Sequence, residues 1–306
     1  MNMTIGAEVV VTSACVRNKS KRAACQQCVD YCSSGALMIS ENNTIKINAE
    51  FCTGCGGCVH VCPVMAIDGR PPQRYAVCDS VYMAATTIPS VKECLLYYQA
   101  GYRTIIVDEN HSSLESVIAK ANVILQSMGQ PIFQLQKKTP TDNDSYYSPE
   151  ENKFGRRRFL RVDVIREYFK KPDGIKNKLI SDVVDEYQLF NVNIDSLACS
   201  LCSSCLQLCP TGAFRYENQA FVVDHKKCVG CRLCQDSCPE QALAVTLEVN
   251  KRTVASYPFK VALCTRCRQR YPSLSDGEHA CPACRIGEKL RLAGQHIGIN
   301  SLNLNA

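Results

Sequence analysis

The residues of this chain that can do chemistry are its cysteines, and their spacing says which chemistry. The stretch "FCTGCGGCVHVCPVMAI", residues 51–67, carries Cys52, Cys55, Cys58 and Cys62 with gaps of two, two and three residues, and a proline follows the last. The run recurs at Cys199, Cys202, Cys205 and Cys209, and again at Cys228, Cys231, Cys234 and Cys238. A fourth run is irregular. Cys25, Cys28 and Cys32 keep the later gaps, but nine residues, "VRNKSKRAA", separate Cys15 from Cys25, and Ser33 stands where proline is expected. Thiolates grouped this closely are ligands for soft metals, and three on one tight loop can cap three irons of a cubane cluster. Proline after the last cysteine turns the chain without needing a backbone donor. The spacers "SL", "SS", "VG" and "RL" are mostly small or uncharged, which lets backbone N–H groups approach the sulfurs.

Composition narrows the class. Twenty-two cysteines in 306 residues would suggest disulfides in a secreted chain. Here the apolar run near the start precedes its basic residues, the reverse of a signal peptide. No apolar stretch approaches the roughly 18 residues of a membrane span. A cytoplasmic chain without membrane insertion is expected. The formal charge of +6 counts every thiol as neutral. Four clusters and one zinc, each about −2 with its thiolates, would bring the total to about −4. The basic residues then offset cluster charge rather than attract nucleic acid. With no tryptophan and 7% aromatic residues, metals are expected to supply much of the folding free energy.

Behind the cysteines lies an internal repeat. "CVDYCSSGAL", "CVHVCPVMAI", "CLQLCPTGAF" and "CQDSCPEQAL" share two cysteines with three residues between them, followed by an alanine and an apolar residue. The terminal cysteines Cys32 and Cys62 are 30 positions apart, and Cys209 and Cys238 are 29 apart, so the repeats form two pairs. Within each pair the connection alternates as a hairpin: Leu37 and Ile39 before Ile45 and Ile47, Phe214 and Tyr216 before Phe221 and Val223. Between the pairs, "IPSVKECLLYYQAG" and "SLESVIAKANVILQSMG" read as helices, and "YRTIIVD" and "PIFQLQ" as strands. The expected division is a first dicluster unit at 1–75, a small α/β unit at 76–136 and an exposed linker at 137–153. A helical segment follows at 154–194, with Leu179, Val183 and Tyr187 on one stripe, then a second dicluster unit at 195–250 and a cysteine-bearing module at 251–306.

Both pairs resemble bacterial two-cluster [4Fe-4S] ferredoxin domains, and the whole resembles a polyferredoxin-type electron-transfer subunit. In such domains the fourth cysteine of each run ligates the other cluster. The resemblance therefore implies four quartets: Cys199, Cys202, Cys205 with Cys238; Cys228, Cys231, Cys234 with Cys209; Cys52, Cys55, Cys58 with Cys32; and Cys15, Cys25, Cys28 with Cys62. An unused Cys15 and a three-iron first site is the alternative. The basic insert either raises the potential of that cluster, docks a partner, or is a solvated loop. Some 130 residues separate the pairs, where compact four-cluster subunits interleave their motifs contiguously.

The last four cysteines, Cys264, Cys267, Cys281 and Cys284, form two Cys-x2-Cys knuckles that resemble a zinc ribbon, with mononuclear iron as the lesser alternative. Cys78 and Cys94 are left over and are expected to be inert thiols. "GRRRFLR" at 155–161 lacks the N-terminal position of a twin-arginine signal and reads as the opening of an amphipathic helix. His60, His111, His225 and His296 show no partner spacing, and no serine–histidine–carboxylate set suggests hydrolysis. The expected fold is α+β: two ferredoxin-like dicluster domains flanking an α/β unit and a helical segment, plus a zinc ribbon. The expected cofactors are four [4Fe-4S] clusters and one Zn²⁺. The expected role is relaying electrons between a redox enzyme, of molybdopterin oxidoreductase (formate dehydrogenase) or hydrogenase type, and a soluble carrier. A redox-responsive nucleic-acid-binding regulator and a metalloenzyme assembly factor are the competing readings.

Overall fold

The computed structural model describes residues 9–83, 87–107, 112–137, 175–275, 280–285 and 287–288. The first unit runs β1 (Val10–Val11), α1 (Val16–Lys19), α2 (Gln27–Tyr31), β2 (Leu37–Ile39), β3 (Ile45–Ile47), α3 (Gly57–Val61) and β4 (Ile67–Asp68). Its strands make two antiparallel pairs, β1 with β4 and β2 with β3, the latter in the register Leu37 opposite Ile47. Alternation across this short hairpin buries Leu37 and Ile45.

The α/β unit follows: β5 (Tyr75–Val77), β6 (Ser80–Met83), α4 (Val91–Gln99), β7 (Thr104–Val107), α5 (Ser112–Ser127) and β8 (Gln134–Lys137). Its sheet has the order β5-β6-β7-β8, with β6, β7 and β8 parallel and β5 folded back antiparallel onto β6. Ser90 starts α4 by accepting the Glu93 N–H at 3.1 Å, leaving the Glu93 carboxylate free for other work. Leu114, Ile118, Ala121 and Leu125 recur at helical spacing on α5 and face Val81, Met83, Ile105 and Val107 of the sheet.

The remainder runs α6 (Ile180–Val183), β9 (Tyr187–Ile194), α7 (Ser204–Leu208), β10 (Phe214–Glu217), β11 (Ala220–Asp224), a 3₁₀ turn at His225–Lys227, α8 (Leu233–Ser237), β12 (Leu243–Lys251), β13 (Val254–Pro258), β14 (Lys260–Leu263) and β15 (Arg270–Ser273). The pairing of β9 with β12 repeats that of β1 with β4, and β10 with β11 repeats β2 with β3, so the internal repeat of the sequence is also a repeat of topology. Two expectations need correction here. The helical stripe through Leu179, Val183 and Tyr187 breaks after Val183: Tyr187 opens an eight-residue strand, because "YQLFNVNI" finds an antiparallel partner in β12. The module after residue 250 also begins later than expected, since β13 is the third strand of the β10-β11 sheet. Residues 138–174, which include "GRRRFLR", and His111, His279 and His296 lie outside the described residues.

Candidate metal centres

Each of the four motifs is built on one short helix. Cys28, Cys58, Cys205 and Cys234 sit inside α2, α3, α7 and α8, and Cys32, Cys62, Cys209 and Cys238 are the residues that end those helices. Two cysteines four positions apart on one helix are thus split between different thiol groups. Cys28 is pushed up to about 12 by burial and by the sulfurs of Cys62, Cys25 and Cys15. Cys58 is pushed up to about 12 by burial, then by Cys55, Cys52 and Cys32. Cys205 is likewise raised to about 12 by burial and by Cys199, Cys202 and Cys238. Burial raises Cys234 as well, assisted by Cys228, Cys231 and Cys209 and, more weakly, by Cys205 of the neighbouring group. Burial raises these thiols by removing the water that would solvate a thiolate, and clustered sulfurs repel one another's charge, so four together cannot all ionise without compensating positive charge. Metal ions supply that charge, so four thiols per group is a donor set that fits a [4Fe-4S] cluster. Cys199, Cys202, Cys205 and Cys238 line a single cavity with Tyr216 and Leu243.

Backbone donors complete the sulfur environment. Ala66, Ala213 and Ala242 point their N–H groups at Cys62, Cys209 and Cys238, at 3.2, 3.3 and 3.4 Å. These are the repeated alanines of the motif. Burial would raise Cys32 too, but the Ser34 hydroxyl and the N–H groups of Leu37, Ala36 and Ser34 bring it below an ordinary thiol. In the three regular loops the chain is left-handed on both sides of the second cysteine: Gly54 and Gly56, Leu201 and Ser203, Gly230 and Arg232. The irregular loop does not follow, since Gln26 has φ −134°.

Ionisable residues that no motif marks surround the first unit. Arg17 is buried; its Nε donates to the Cys25 carbonyl at 2.5 Å and its Nη1 to Asn43. Lys92 of α4, also buried, donates from Nζ to the Cys62 carbonyl at 3.2 Å. His60 lies 3.9 Å from the Glu93 carboxylate, which takes two hydrogen bonds from Arg74 at 2.7 and 3.3 Å. Burial works against the charge on Glu93, but His60 and Arg74 outweigh it and hold the carboxyl below its usual range. His225, likewise unmarked in the sequence, accepts the Val192 N–H at 3.1 Å. Cys94 is fully buried in the α/β core and its thiol is raised by burial, as an inert side chain requires; Cys78 is exposed.

In the C-terminal module the ligand atoms of Cys264, Cys267, Cys281 and Cys284 all lie within 4.8 Å of one another. Cys264 accepts N–H groups of Cys281, Cys267 and Arg266 at 3.2, 3.4 and 3.4 Å, which lower its thiol to about 6. Contact with Cys281 pushes Cys284 up to about 12. One sulfur is ready as a thiolate and another holds its proton, a set that could hold a tetrahedral metal ion.

Models of a 4Fe-4S dicluster domain match residues 21–66 and 191–239. The chain is 31% identical over 88 residues to the pyruvate synthase subunit PorD of Methanocaldococcus jannaschii, covering 28% of this chain and 96% of that protein. It is 29% identical over 99 residues to the uncharacterized ferredoxin-like protein YdhY of Escherichia coli, covering 30% of this chain and 43% of that protein. Hydrogenase-4 component A of Escherichia coli is 32% identical over 78 residues, covering 26% of this chain and 34% of that protein. The chain thus spans less than half of either Escherichia coli relative. Among the described residues no helix is long and apolar enough to cross a membrane. The chain belongs to the 4Fe-4S dicluster ferredoxin family and is an iron–sulfur electron-transfer protein.

Proposed function

We propose that this protein is a four-cluster relay subunit of a larger redox complex. Cys15, Cys25, Cys28 and Cys62 hold one cluster; Cys52, Cys55, Cys58 and Cys32 a second; Cys199, Cys202, Cys205 and Cys238 a third; Cys228, Cys231, Cys234 and Cys209 a fourth. Cys264, Cys267, Cys281 and Cys284 hold one structural zinc. The observation that carries this reading is the sorting of sixteen sulfurs into four groups, each containing a cysteine from the other half of its unit. The clusters supply one-electron chemistry. The chain's own residues shield the sulfurs from water, direct N–H groups at them and bring Arg17 and Lys92 close to the first quartet. A partner supplies the catalysis, since the α/β unit carries neither G-x-G-x-x-G nor a phosphate loop. Relatives named as a pyruvate synthase subunit and a hydrogenase-4 component support a multisubunit oxidoreductase as that partner.

The test is anaerobic affinity purification from the native host, with metal analysis and identification of the chains retained. About sixteen irons per chain and a redox-enzyme subunit in fixed ratio are expected. Far fewer irons, or binding to random oligonucleotides at low salt that follows cluster oxidation, would overturn the reading.

A further inference from the structure

The nine-residue insert that breaks the first motif touches the second dicluster unit. From behind, the first unit fixes it: Asn43 donates from Nδ2 to the carbonyls of Lys21 and Ala23 at 2.9 and 3.0 Å, and buried Arg17 binds both Asn43 and the Cys25 carbonyl. Its other side meets α8. Val16 and Ala23, 2% and 3% exposed, pack on fully buried Leu233, and Cys25 and Cys231 flank this small apolar seam. Ala24 donates its N–H to the Asp236 carboxylate at 2.8 Å, and Ser237 donates its hydroxyl to Ser20 at 3.0 Å. These partners are more than 200 positions apart in sequence. Cys25 and Cys231 also open onto one interdomain cleft of about 1820 Å³.

We propose that the insert Val16–Ala24 is a joint that seats the Cys25 quartet beside the Cys231 quartet, so that the two dicluster units conduct in series. This rests on the four-cluster reading above. A solvated loop would not bury Val16 and Ala23 against a helix of another unit, and a loop reserved for an outside partner would not have its apolar face covered. The electrostatics agree, since Cys231 feels the Cys25 sulfur in addition to those of its own quartet. Cys234 in turn feels Cys205, and α2 links the Cys28 and Cys32 groups. The four sites therefore form one file, from the exposed Cys55 at one end to Cys199 beside Arg285 at the other. Transfer across the joint would move one electron from a reduced cluster, leaving it oxidised, to an oxidised cluster, leaving it reduced, with no proton or bond changed.

The experiment uses the anaerobic full-length holoprotein and two variants that charge the seam from opposite sides, Ala23→Asp and Ser237→Glu. Iron content, the electron-spin spectrum of the fully reduced protein and the equilibration of electrons after pulsed reduction are measured in each. In the wild type, spin coupling should extend beyond the two within-unit pairs. Both variants should keep their iron, lose that additional coupling, and lose the fast phase in which all four sites equilibrate. Variants with full iron and unchanged coupling and equilibration would overturn the joint. If a variant loses iron, the wild-type spectrum decides alone: two magnetically isolated pairs overturn the joint, and coupling among all four supports it. Wild-type protein with far fewer than about sixteen irons would instead overturn the four-cluster reading.

Discussion

At the scale of single residues, the first unit depends on charges that the cysteine motifs do not mark. Arg74 and Glu93 form a buried pair between that unit and α4, with Arg74 also donating to the Thr87 carbonyl and hydroxyl at 2.6 and 2.7 Å. Removing one partner of such a pair strands the other in a water-free site. Arg74→Met should therefore cost about 3–5 kcal/mol near neutral pH, read by denaturant unfolding of the anaerobic holoprotein followed by circular dichroism. The pH dependence has a definite sign. Arg74, His60, Tyr31 and Tyr97 face Glu93, whose carboxyl is held below its ordinary range. A group depressed in the folded state stabilises above its unfolded value and stops doing so as pH falls through the lower, folded value. The gap between wild type and Arg74→Met should therefore be full at neutral pH and narrow in acid. A gap unchanged across that acid range would show that Glu93 is not the stranded charge.

At the scale of elements, the tight loops work because their backbone turns left-handed twice. Gly54 and Gly56 both have positive φ, but only Gly56 is crowded: a Cβ there would meet the backbone of Arg70 and Pro71, whereas one at Gly54 would meet nothing. Gly54→Ala should cost about 1–2 kcal/mol from backbone strain alone. Gly56→Ala should cost more and lower iron retention, because the loop carrying Cys52, Cys55 and Cys58 must shift. Thermal unfolding and iron analysis of the two variants check the order; equal behaviour would mean the Arg70–Pro71 approach is unimportant. Leu201, Ser203 and Arg232 hold the same conformation without glycine's freedom. Their strain is maintained by the packing and hydrogen bonds around each motif.

At the scale of the molecule, the proposed zinc site makes a prediction about the C-terminal module. Its hairpin of β14 and β15 buries Cys264, Tyr271 and Cys281 and has little other core. Structural zinc in such modules contributes on the order of 10 kcal/mol or more. Cys264→Ala should thus remove one zinc per chain and expose residues 260–285 to protease while leaving the iron count unchanged. Loss of iron along with zinc would mean instead that the module props the Cys199 site, next to which Arg285 lies.

The sequence by itself determined the thiol motifs, the two-fold repeat, both hairpins, and the alternation of helix and strand in the α/β unit. Each follows from spacing that acts within about thirty residues, where ligand gaps and side-chain periodicity leave few alternatives. Tyr187 is not legible as a strand residue, because three apolar residues spaced four positions apart, Leu179, Val183 and Tyr187, fit one face of a helix as well as one face of a strand. Its strand forms only because β12, some sixty residues on, offers the antiparallel edge. Lys92 and Arg17 carry no motif, since a buried charge is defined by the partner that satisfies it and not by its neighbours in the chain. Tertiary structure alone decided that the irregular insert faces α8 and that Cys25 lies beside Cys231. Such a contact spans more than 200 residues, and it depends on which surfaces remain uncovered after each unit has folded.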